Sequence, residues 1–275
     1  MPELPEVETV RRSLEPAIGA TIASLWTSGK PLRLNRPIPK AKLRTLIGRT
    51  ITALRRHGKY LLVDLDGPSS LLVHLGMTGS LRLHDATDAR EAHTHVVLGL
   101  GDGRELRYAD PRRFGQVDVV DRAREREHPS LRVLGPDPYA STVDGDYLFE
   151  RSRGRGTTLK AFLLDQANLA GVGNIYAAEA LWRAKLKPTR RARRLTRAEA
   201  AALARAVRTS FDEALSHGGT TFSDFVDGSG QAGENADYLV VYGRAGQPCR
   251  RCKSPIRRTI VQGRATYFCP TCQLS

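Results

Sequence analysis

Residues 249–272 read CRRCKSPIRRTIVQGRATYFCPTC, and this stretch decides the fold of the carboxyl-terminal end of the chain. It holds the only cysteines among the 275 residues, spaced C-x2-C-x16-C-x2-C: Cys249, Cys252, Cys269 and Cys272. Two close pairs separated by a hairpin-length insert are typical of tetrahedral thiolate ligation of one structural zinc ion. The insert predicts two short strands, 256–262 and 264–268, which turn at Gly263.

Disulfide bonds are the alternative use of two cysteine pairs. No secretory signal or apolar spanning segment precedes these cysteines, and disulfides persist mainly in oxidising compartments. The pattern therefore favours zinc and a cytoplasmic location. In a ribbon this small the metal would supply most of the folding free energy, about 10–16 kcal/mol for structural zinc.

The charge of the chain indicates a polyanionic partner. The sequence contains 43 Lys and Arg against 29 Asp and Glu, a formal net charge of +14. Residues 244–275 contain seven basic residues and no acidic one. A second basic cluster comprises Lys185, Lys187, Arg190, Arg191, Arg193, Arg194 and Arg197. Basic runs beside a zinc ribbon are typical of nucleic-acid binding. Solvated helix faces or a membrane-surface patch are the alternatives, but neither run has an amphipathic apolar stripe.

The amino-terminal region, 1–132, predicts one helix followed by a β-sandwich. Val7, Val10 and Leu14 repeat at helical spacing, and Pro16 ends the helix. Short β-rich runs separated by Gly and Pro turns then predict antiparallel strands. These runs are 18–26, 50–56, 60–65, 71–75, 95–100 and 117–120.

The rest of the chain predicts a linker and two further domains. Residues 133–150 are rich in Pro and Gly and predict a linker. Residues 151–235 predict a helical domain, and 236–275 the zinc ribbon. The expected helices are 158–165, 174–184 and 196–217. The predicted fold class is therefore α+β, in several domains.

The sequence begins Met1-Pro2-Glu3-Leu4-Pro5-Glu6, which allows two interpretations. Removal of Met1 would leave the secondary amine of Pro2, and such an amine can attack an electrophilic sugar carbon to give an iminium ion. The carboxyl groups of Glu3 and Glu6 lie within one turn and could transfer protons. The alternative is a plain helix start, with Pro in the first turn and acidic side chains at the positive end of the helix dipole.

Further motifs follow in a fixed order: HGKYLL, HLGMTG, ADPRRFG, AGVGNIYAAE, GGTTFSDF and, in the ribbon, QGRATYFC. Together with MPELPEVE they resemble the formamidopyrimidine-DNA glycosylases, bacterial enzymes of base excision repair, over essentially the whole chain. The resemblance implies a β-sandwich, a helix-two-turns-helix domain and a zinc ribbon. It also implies that duplex DNA containing oxidised bases binds across the cleft between the two halves. The sequence gives no reason to expect an oligomer, because a monomer can wrap one lesion unaided.

The resemblance assigns the chemistry to a few residues. Pro2 would attack C1′ and displace an oxidised purine such as 8-oxoguanine, after which both flanking phosphates are eliminated. Glu3 would protonate the sugar oxygen, and Glu6 would support the helix end. Lys59 would reach the active site from a hairpin turn, and Arg264 would clamp phosphates from the ribbon.

The resemblance also implies residues that hold the damaged duplex. Met77, Arg112 and Phe114 match the side chains that fill the gap left by an extruded base. For Met77 and Phe114 the alternative is a place in the core, the usual environment of both residue types. Further implied DNA contacts are His74, Lys160, Asn174 and Arg258.

Lesion preference is the least defined property. Residues 226–237 are rich in glycine and polar side chains, which suits a mobile lid, with Tyr238 the nearest aromatic residue. The resemblance implies that this lid closes over the extruded base. Two other functions stay open. One is an endonuclease VIII-type glycosylase for oxidised pyrimidines, a branch that typically has glycine at the position of Leu4. The other is a DNA-binding relative without catalysis.

Overall fold

The computed structural model describes residues 2–33, 36–222 and 225–274, and the chain divides into two compact units. The N-terminal unit comprises Met1–Arg132 and His217–Glu234. The C-terminal unit comprises Val133–Ser216 and Asn235–Ser275. The segment 217–234 therefore packs with the sandwich and not with the helical region to which the sequence assigned it.

The N-terminal unit is a sandwich of two four-stranded antiparallel sheets preceded by helix α1, Leu4–Ser13. Its strands are β1 Ile22–Thr27, β2 Ile51–His57, β3 Tyr60–Leu65, β4 Ser69–His74, β5 Ser80–Asp85, β6 Thr94–Leu100, β7 Arg104–Ala109 and β8 Gln116–Asp121. One sheet has the order β1-β6-β7-β5 and the other β2-β3-β4-β8. A short helix, α2 (Lys40–Arg44), lies between β1 and β2. The predicted sandwich is confirmed.

The core of the N-terminal unit joins α1 to both sheets. Val7, Val10 and Leu14, which set the helical repeat in the sequence, are all buried in one apolar cluster with side chains such as Leu61 and Leu98. The burial of these apolar side chains is the main driving force for folding this unit.

Two strands, β5 and β7, are absent from the sequence prediction. Strand β7 contains Arg104, Glu105 and Arg107, and so many charges do not suggest a strand inside a sandwich. Arg107 is nevertheless fully buried, because its guanidinium donates to the carbonyl oxygens of Ala89, Asp88 and Asp85 and to the carboxylate of Glu105. Buried charge is tolerated where every donor is satisfied.

The described part of the C-terminal unit contains four α-helices and one hairpin. They are α3 Gly145–Ser152, α4 Leu159–Leu164, α5 Asn174–Arg183, α6 Arg197–Ser216, β9 Arg257–Val261 and β10 Arg264–Phe268. Helix α3 begins inside the predicted linker 133–150, because the Asp144 side chain accepts the Tyr147 amide and caps it. Among the described residues, no helix has both the length and the apolar character needed to cross a membrane.

A buried carboxylate on α5 binds the segment that leads into the ribbon. Glu179 is 2% exposed and accepts hydrogen bonds from the backbone amides of Val240, Val241 and Tyr242 at 2.9, 3.0 and 2.9 Å. Burial raises the pKa of Glu179, although the three amides and the nearby Arg183 act in the opposite direction. The contact fixes the segment 240–242 on α5.

We expect Glu179→Ala to destabilise the C-terminal unit strongly. The substitution removes the acceptor of three amides, two of them in the buried residues Val240 and Val241, and each buried amide without an acceptor costs about 1–3 kcal/mol. The free energy of unfolding, measured with urea, should therefore fall by about 3 kcal/mol or more. Glu213→Ala is the matched control on α6, because Glu213 is 43% exposed in its ion pair with Arg183 and should change stability by less than about 1 kcal/mol. Equal losses in the two variants would rule out the anchoring role.

Candidate nucleic-acid interface and metal centre

The predicted nucleophile and its neighbouring carboxylates lie at the start of α1. Pro2 is buried immediately before the helix, and Glu3 is its N-cap residue, with extended backbone angles (φ −104°, ψ −169°). Glu3 and Glu6 form a capping box, in which the Glu3 amide donates to Glu6 Oε2 at 2.8 Å and the Glu3 side chain accepts the Glu6 amide. The helix start and the predicted catalytic group are therefore the same structure, and the two interpretations of the sequence are compatible.

Glu6 also holds the segment 217–234 beside the helix start. Its Oε1 accepts the Thr220 amide at 2.8 Å. Gly219 has φ +87°, and a Cβ atom there would lie 3.3 Å from Glu6 Cγ, so glycine suits this close approach. The Glu6 carboxylate thus connects the residues around Pro2 to a segment far away in sequence.

The first part of the predicted lid has two further contacts within the N-terminal unit. The Gly228 amide donates to Ser13 Oγ at 2.7 Å, and the Gly228 carbonyl accepts the Leu83 amide at 3.0 Å. A Cβ atom at Gly228 would lie 2.8 Å from both Leu14 Cδ2 and Ser13 Oγ. A larger residue here would require the side chains of Ser13 and Leu14 to shift. Mobility of 226–237 stays a prediction.

Lys59 and His74 are neighbours in the structure. Lys59 occupies the β2–β3 turn after Gly58, whose φ of +56° suits glycine, and the side chain of Lys59 is largely buried. His74 ends β4, with its ring centroid 4.6 Å from that of Tyr60. Burial and then the positive charges of Arg33 and Lys59 lower the pKa of His74 to about 3.

The protonation of His74 follows from its contact with Gly76. The Gly76 amide donates to His74 Nδ1 at 3.1 Å. The imidazole is therefore neutral, with its proton on Nε2, and it can donate one hydrogen bond to an anion without carrying charge.

The gap-filling candidates lie on two turns connected by a buried aspartate. Asp110 is 0% exposed and accepts hydrogen bonds from Thr78 Oγ1 at 2.8 Å, from the Tyr108 hydroxyl at 3.1 Å and from the Gly115 amide at 2.8 Å. The Arg112 amide donates to Thr78 Oγ1 at 3.3 Å. Asp110 therefore fixes the turn after Met77 against the turn that carries Arg112 and Phe114. Asp110 lies within the ADPRRFG motif but is not among the site residues predicted from the sequence.

The side chains that these turns present are exposed. Met77 is 40% and Phe114 is 44% exposed, so neither is a core residue. The Arg112 guanidinium lies 4.6 Å from the centroid of the Phe114 ring. The backbone beneath them is closely packed, because a Cβ atom at Gly115 would lie 1.8 Å from the Tyr108 hydroxyl and 2.4 Å from the His74 carbonyl oxygen.

Two of the predicted DNA contacts of the C-terminal unit, Asn174 and Lys160, donate to the Ala265 carbonyl. Asn174, the first residue of α5, donates from Nδ2 to the Ala265 carbonyl at 3.2 Å and to the Tyr242 hydroxyl at 3.4 Å. Its Oδ1 atom is buried and has no hydrogen-bond partner among the described residues. Arg264 begins β10 beside Ala265, and Arg258 lies on β9, and both arginines are exposed.

Lys160 requires a correction. The sequence analysis expected it to contact the DNA backbone, but its side chain is 0% exposed. Its Nζ donates to the Ala265 carbonyl at 2.8 Å and to Thr266 Oγ1 at 2.6 Å. A buried ammonium held by ribbon oxygens does not reach a phosphate in this arrangement, so Lys160 supports the strand that begins with Arg264.

The four cysteines form a cluster suited to zinc. Their Sγ atoms all lie within 4.8 Å of one another, with Cys249 and Cys272 at 4.0 Å and Cys252 and Cys269 at 3.4 Å. These separations exceed the disulfide length of about 2.05 Å. A tetrahedral ion with Zn–S bonds of about 2.3 Å separates its ligands by about 3.8 Å, in agreement with the cluster. The ribbon is therefore positioned to bind one structural zinc ion, as predicted.

The low pKa of His74 predicts a loss of stability in acid. The unfolded chain binds a proton at His74 below pH 6.5, whereas the folded state resists protonation down to about pH 3. His74 therefore makes its full contribution to the free energy of unfolding above pH 6.5, and this contribution is lost as the pH falls. Between pH 7 and pH 5, the free energy of unfolding of the wild type should fall by up to about 2 kcal/mol more than that of His74→Asn. Asparagine is the replacement because its Oδ1 can still accept the Gly76 amide.

Urea unfolding at several pH values tests this expectation. His93→Asn is the control, because His93 is exposed and lies at a positive φ that asparagine tolerates. The control should follow the wild-type pH dependence. If His74→Asn also follows it, the neutral buried state of His74 is wrong.

Family models match the three parts of the chain. The Formamidopyrimidine-DNA glycosylase N-terminal domain matches residues 1–117, the H2TH domain of the same enzymes matches 134–226, and the zinc finger found in FPG and IleRS matches 246–274. Two curated relatives named formamidopyrimidine-DNA glycosylase match 99% of the chain and 100% of their own length. The protein of Herpetosiphon aurantiacus is 44% identical, and that of Halorhodospira halophila is 46% identical.

Two solved structures are similar to this chain over nearly its whole length. The MutM (FPG) protein of Thermus thermophilus has a TM-score of 0.87 and 44% identity, covering 99% of this chain and 98% of that chain. Lactococcus lactis Fpg in complex with DNA containing an abasic site has a TM-score of 0.89 and 33% identity, covering 99% of this chain and 100% of that chain. Full-length similarity in sequence and structure, together with a cysteine cluster suited to zinc, shows that this DNA-binding chain belongs to the formamidopyrimidine-DNA glycosylase family of DNA repair proteins.

Proposed function

We propose that this protein is a bifunctional DNA glycosylase and AP lyase that removes oxidised purines, such as 8-oxoguanine and formamidopyrimidines, from duplex DNA. The observation that carries the proposal is the capped start of α1, where Pro2 directly precedes the buried carboxylates of Glu3 and Glu6. Relatives support the substrate class, because Lactococcus lactis Fpg variants have been solved with DNA containing Fapy-dG.

The proposed reaction begins at the Pro2 nitrogen after removal of Met1. The lone pair of the amine forms a bond to C1′, and the bond between C1′ and the damaged base breaks, with the bonding electrons leaving on the base. The attached nitrogen then loses its N–H proton, which neutralises the departing base. Glu3 gives a proton to the sugar ring oxygen, the ring opens, and an iminium ion forms between Pro2 and C1′. Loss of a proton from C2′ then eliminates the 3′ phosphate, and a second elimination releases the 5′ phosphate.

Glu6 and the segment 217–234 position this chemistry. Glu6 accepts the amides of Glu3 and Thr220, so the residue that donates a proton and the segment that leads into the predicted lid 226–237 share one carboxylate. Such fixed geometry lowers the entropy cost of the reaction.

The turns joined by Asp110 suit the extrusion of the damaged base. A base outside the stack leaves a gap, and exposed Met77 and Phe114 can enter it while Arg112 bonds to the unpaired partner base. Lys59 and the neutral His74 lie together near β3 and β4 and would hold a phosphate beside the lesion. These roles explain why large apolar side chains are exposed on closely packed turns.

The C-terminal unit contributes phosphate contacts. Helix α5 begins at Asn174, and the positive end of a helix dipole favours a phosphate nearby. Arg264 and Arg258 are exposed on the hairpin, where guanidinium groups can bind phosphate oxygens. Phosphate contacts of this kind set the affinity and orientation of the protein on DNA but do not identify the lesion.

A covalent trapping experiment tests the proposed nucleophile. Protein whose mature amino terminus has been verified by mass is mixed with a duplex containing one 8-oxoguanine opposite cytosine, and borohydride is added. We expect a protein–DNA adduct that maps to Pro2, because borohydride reduces the iminium ion to a stable amine. Protein that retains Met1 should bind the same duplex and give no adduct.

The same assay separates the alternatives. An adduct formed only with an oxidised pyrimidine would indicate the endonuclease VIII-type function, and Lactococcus lactis Fpg has itself been solved with oxidised-pyrimidine DNA. Tight binding with no adduct on either substrate, despite a free Pro2 amine, would indicate a DNA-binding protein without catalysis. An adduct that maps to another residue would reject Pro2 as the nucleophile.

The position of Lys160 predicts a non-additive effect on DNA binding. Lys160→Met removes the ammonium but retains an unbranched buried side chain, so β10 and Arg264 should lose their support. We expect binding to a duplex with an abasic-site analogue to weaken about tenfold. Arg264→Ala added to Lys160→Met should then have little further effect. Arg257→Ala, at an exposed position on β9, is the control. Its effect on the free energy of DNA binding should add fully to that of Lys160→Met. Full additivity of Lys160→Met with Arg264→Ala would instead indicate an independent phosphate contact by Lys160.

A further inference from the structure

Helix α5 reaches the cysteine cluster through one aromatic side chain. Trp182 lies in the last turn of α5 and is 7% exposed. Its indole Nε1 donates to Cys249 Sγ at 3.4 Å. Cys249 is itself fully buried, in an apolar cluster that also contains Ala178 and Ile256.

Arg251, from the ribbon, packs over the face of the Trp182 ring. The guanidinium carbon lies 4.1 Å from the ring centroid, and Nη1 donates to the Trp182 carbonyl at 3.3 Å. A cation over an indole ring is an attractive contact, and the hydrogen bond to the carbonyl also satisfies an acceptor at the end of α5. The orientation of the indole N–H is therefore set by two contacts to the ribbon, at Cys249 and at Arg251.

The chemistry of a four-thiolate site explains why such a donor is useful. One divalent ion with four thiolates carries net negative charge, and burial makes that charge unfavourable. A hydrogen bond donated to a ligand sulfur withdraws part of the charge and holds the ligand in its bonding orientation. Outer-shell partners of this kind typically change metal affinity by about 10- to 100-fold.

We propose that Trp182 is an outer-shell residue of the zinc centre, which stabilises the Cys249 thiolate through its indole N–H and slows zinc release. Because Trp182 and Glu179 lie on the same helix, α5 holds both the metal-binding end of the ribbon and the segment 240–242 that leads into it. The inference concerns metal retention and does not depend on the proposed excision reaction.

Zinc release from the intact protein tests the proposal. A chromogenic chelator in excess reports the rate at which the zinc-loaded protein loses its ion. Trp182→Phe retains an aromatic ring but removes the N–H donor, and we expect release about tenfold faster or more. Trp26→Phe is the matched control, because Trp26 is the only other tryptophan and also has an arginine over its ring, Arg90 at 4.6 Å. The control should release zinc at the wild-type rate. An unchanged rate in Trp182→Phe would overturn the proposal.

A second measurement covers the case in which Trp182→Phe does not fold. The Trp26→Phe protein contains a single indole, and its zinc can be exchanged for cadmium-113. We expect the indole proton to show through-bond coupling to cadmium by way of the Cys249 sulfur. Loss of this coupling when cadmium is chelated would assign it to the metal site. No coupling in the loaded protein would show that the N–H does not bond to a metal ligand and would reject the outer-shell role.

Discussion

The carboxylate of Glu6 is the constraint on which the functional face of the N-terminal unit depends. It accepts one amide three residues before it and another 214 residues after it, both at 2.8 Å. Hydrogen bonds to a charged acceptor are stronger than those between neutral groups, and here they also compensate for the burial of the charge. The conformation of Glu3, and with it the position of Pro2, is therefore tied to the correct folding of a distant segment.

Much of the fold was predictable, because it depends on patterns that are local in sequence. The repeat of Val7, Val10 and Leu14 predicted α1, and the cysteine spacing predicted the ribbon. Strand β7 was not predictable in this way. Besides Glu105, the acceptors of Arg107 are carbonyl groups 18 to 22 positions away, and the local pattern does not show that these groups would satisfy the charge in the interior.

The residues of the candidate site differ in the same way: those whose role follows from a motif were predictable, and those whose role follows from distant contacts were not. Motif order identified Pro2, Glu3, Met77 and Phe114 as candidates. It did not identify Asp110, because the role of that aspartate consists of hydrogen bonds to other turns. Lys160 was misread for a similar reason: a lysine on a helix suggests a surface cation, but its acceptors in the ribbon lie 105 and 106 residues further along the chain.

The discontinuous N-terminal unit has a consequence for biosynthesis. The first 132 residues of this unit are synthesised well before residues 217–234, because the chain between them belongs to the other unit. At translation rates of about 5–20 residues per second, roughly a hundred residues require about 5–20 s. During that interval the nascent sandwich lacks the partners of Glu6, Ser13 and Leu83. The face that carries Pro2 is thus among the last parts of the molecule to be completed, after helix α6 has left the ribosome.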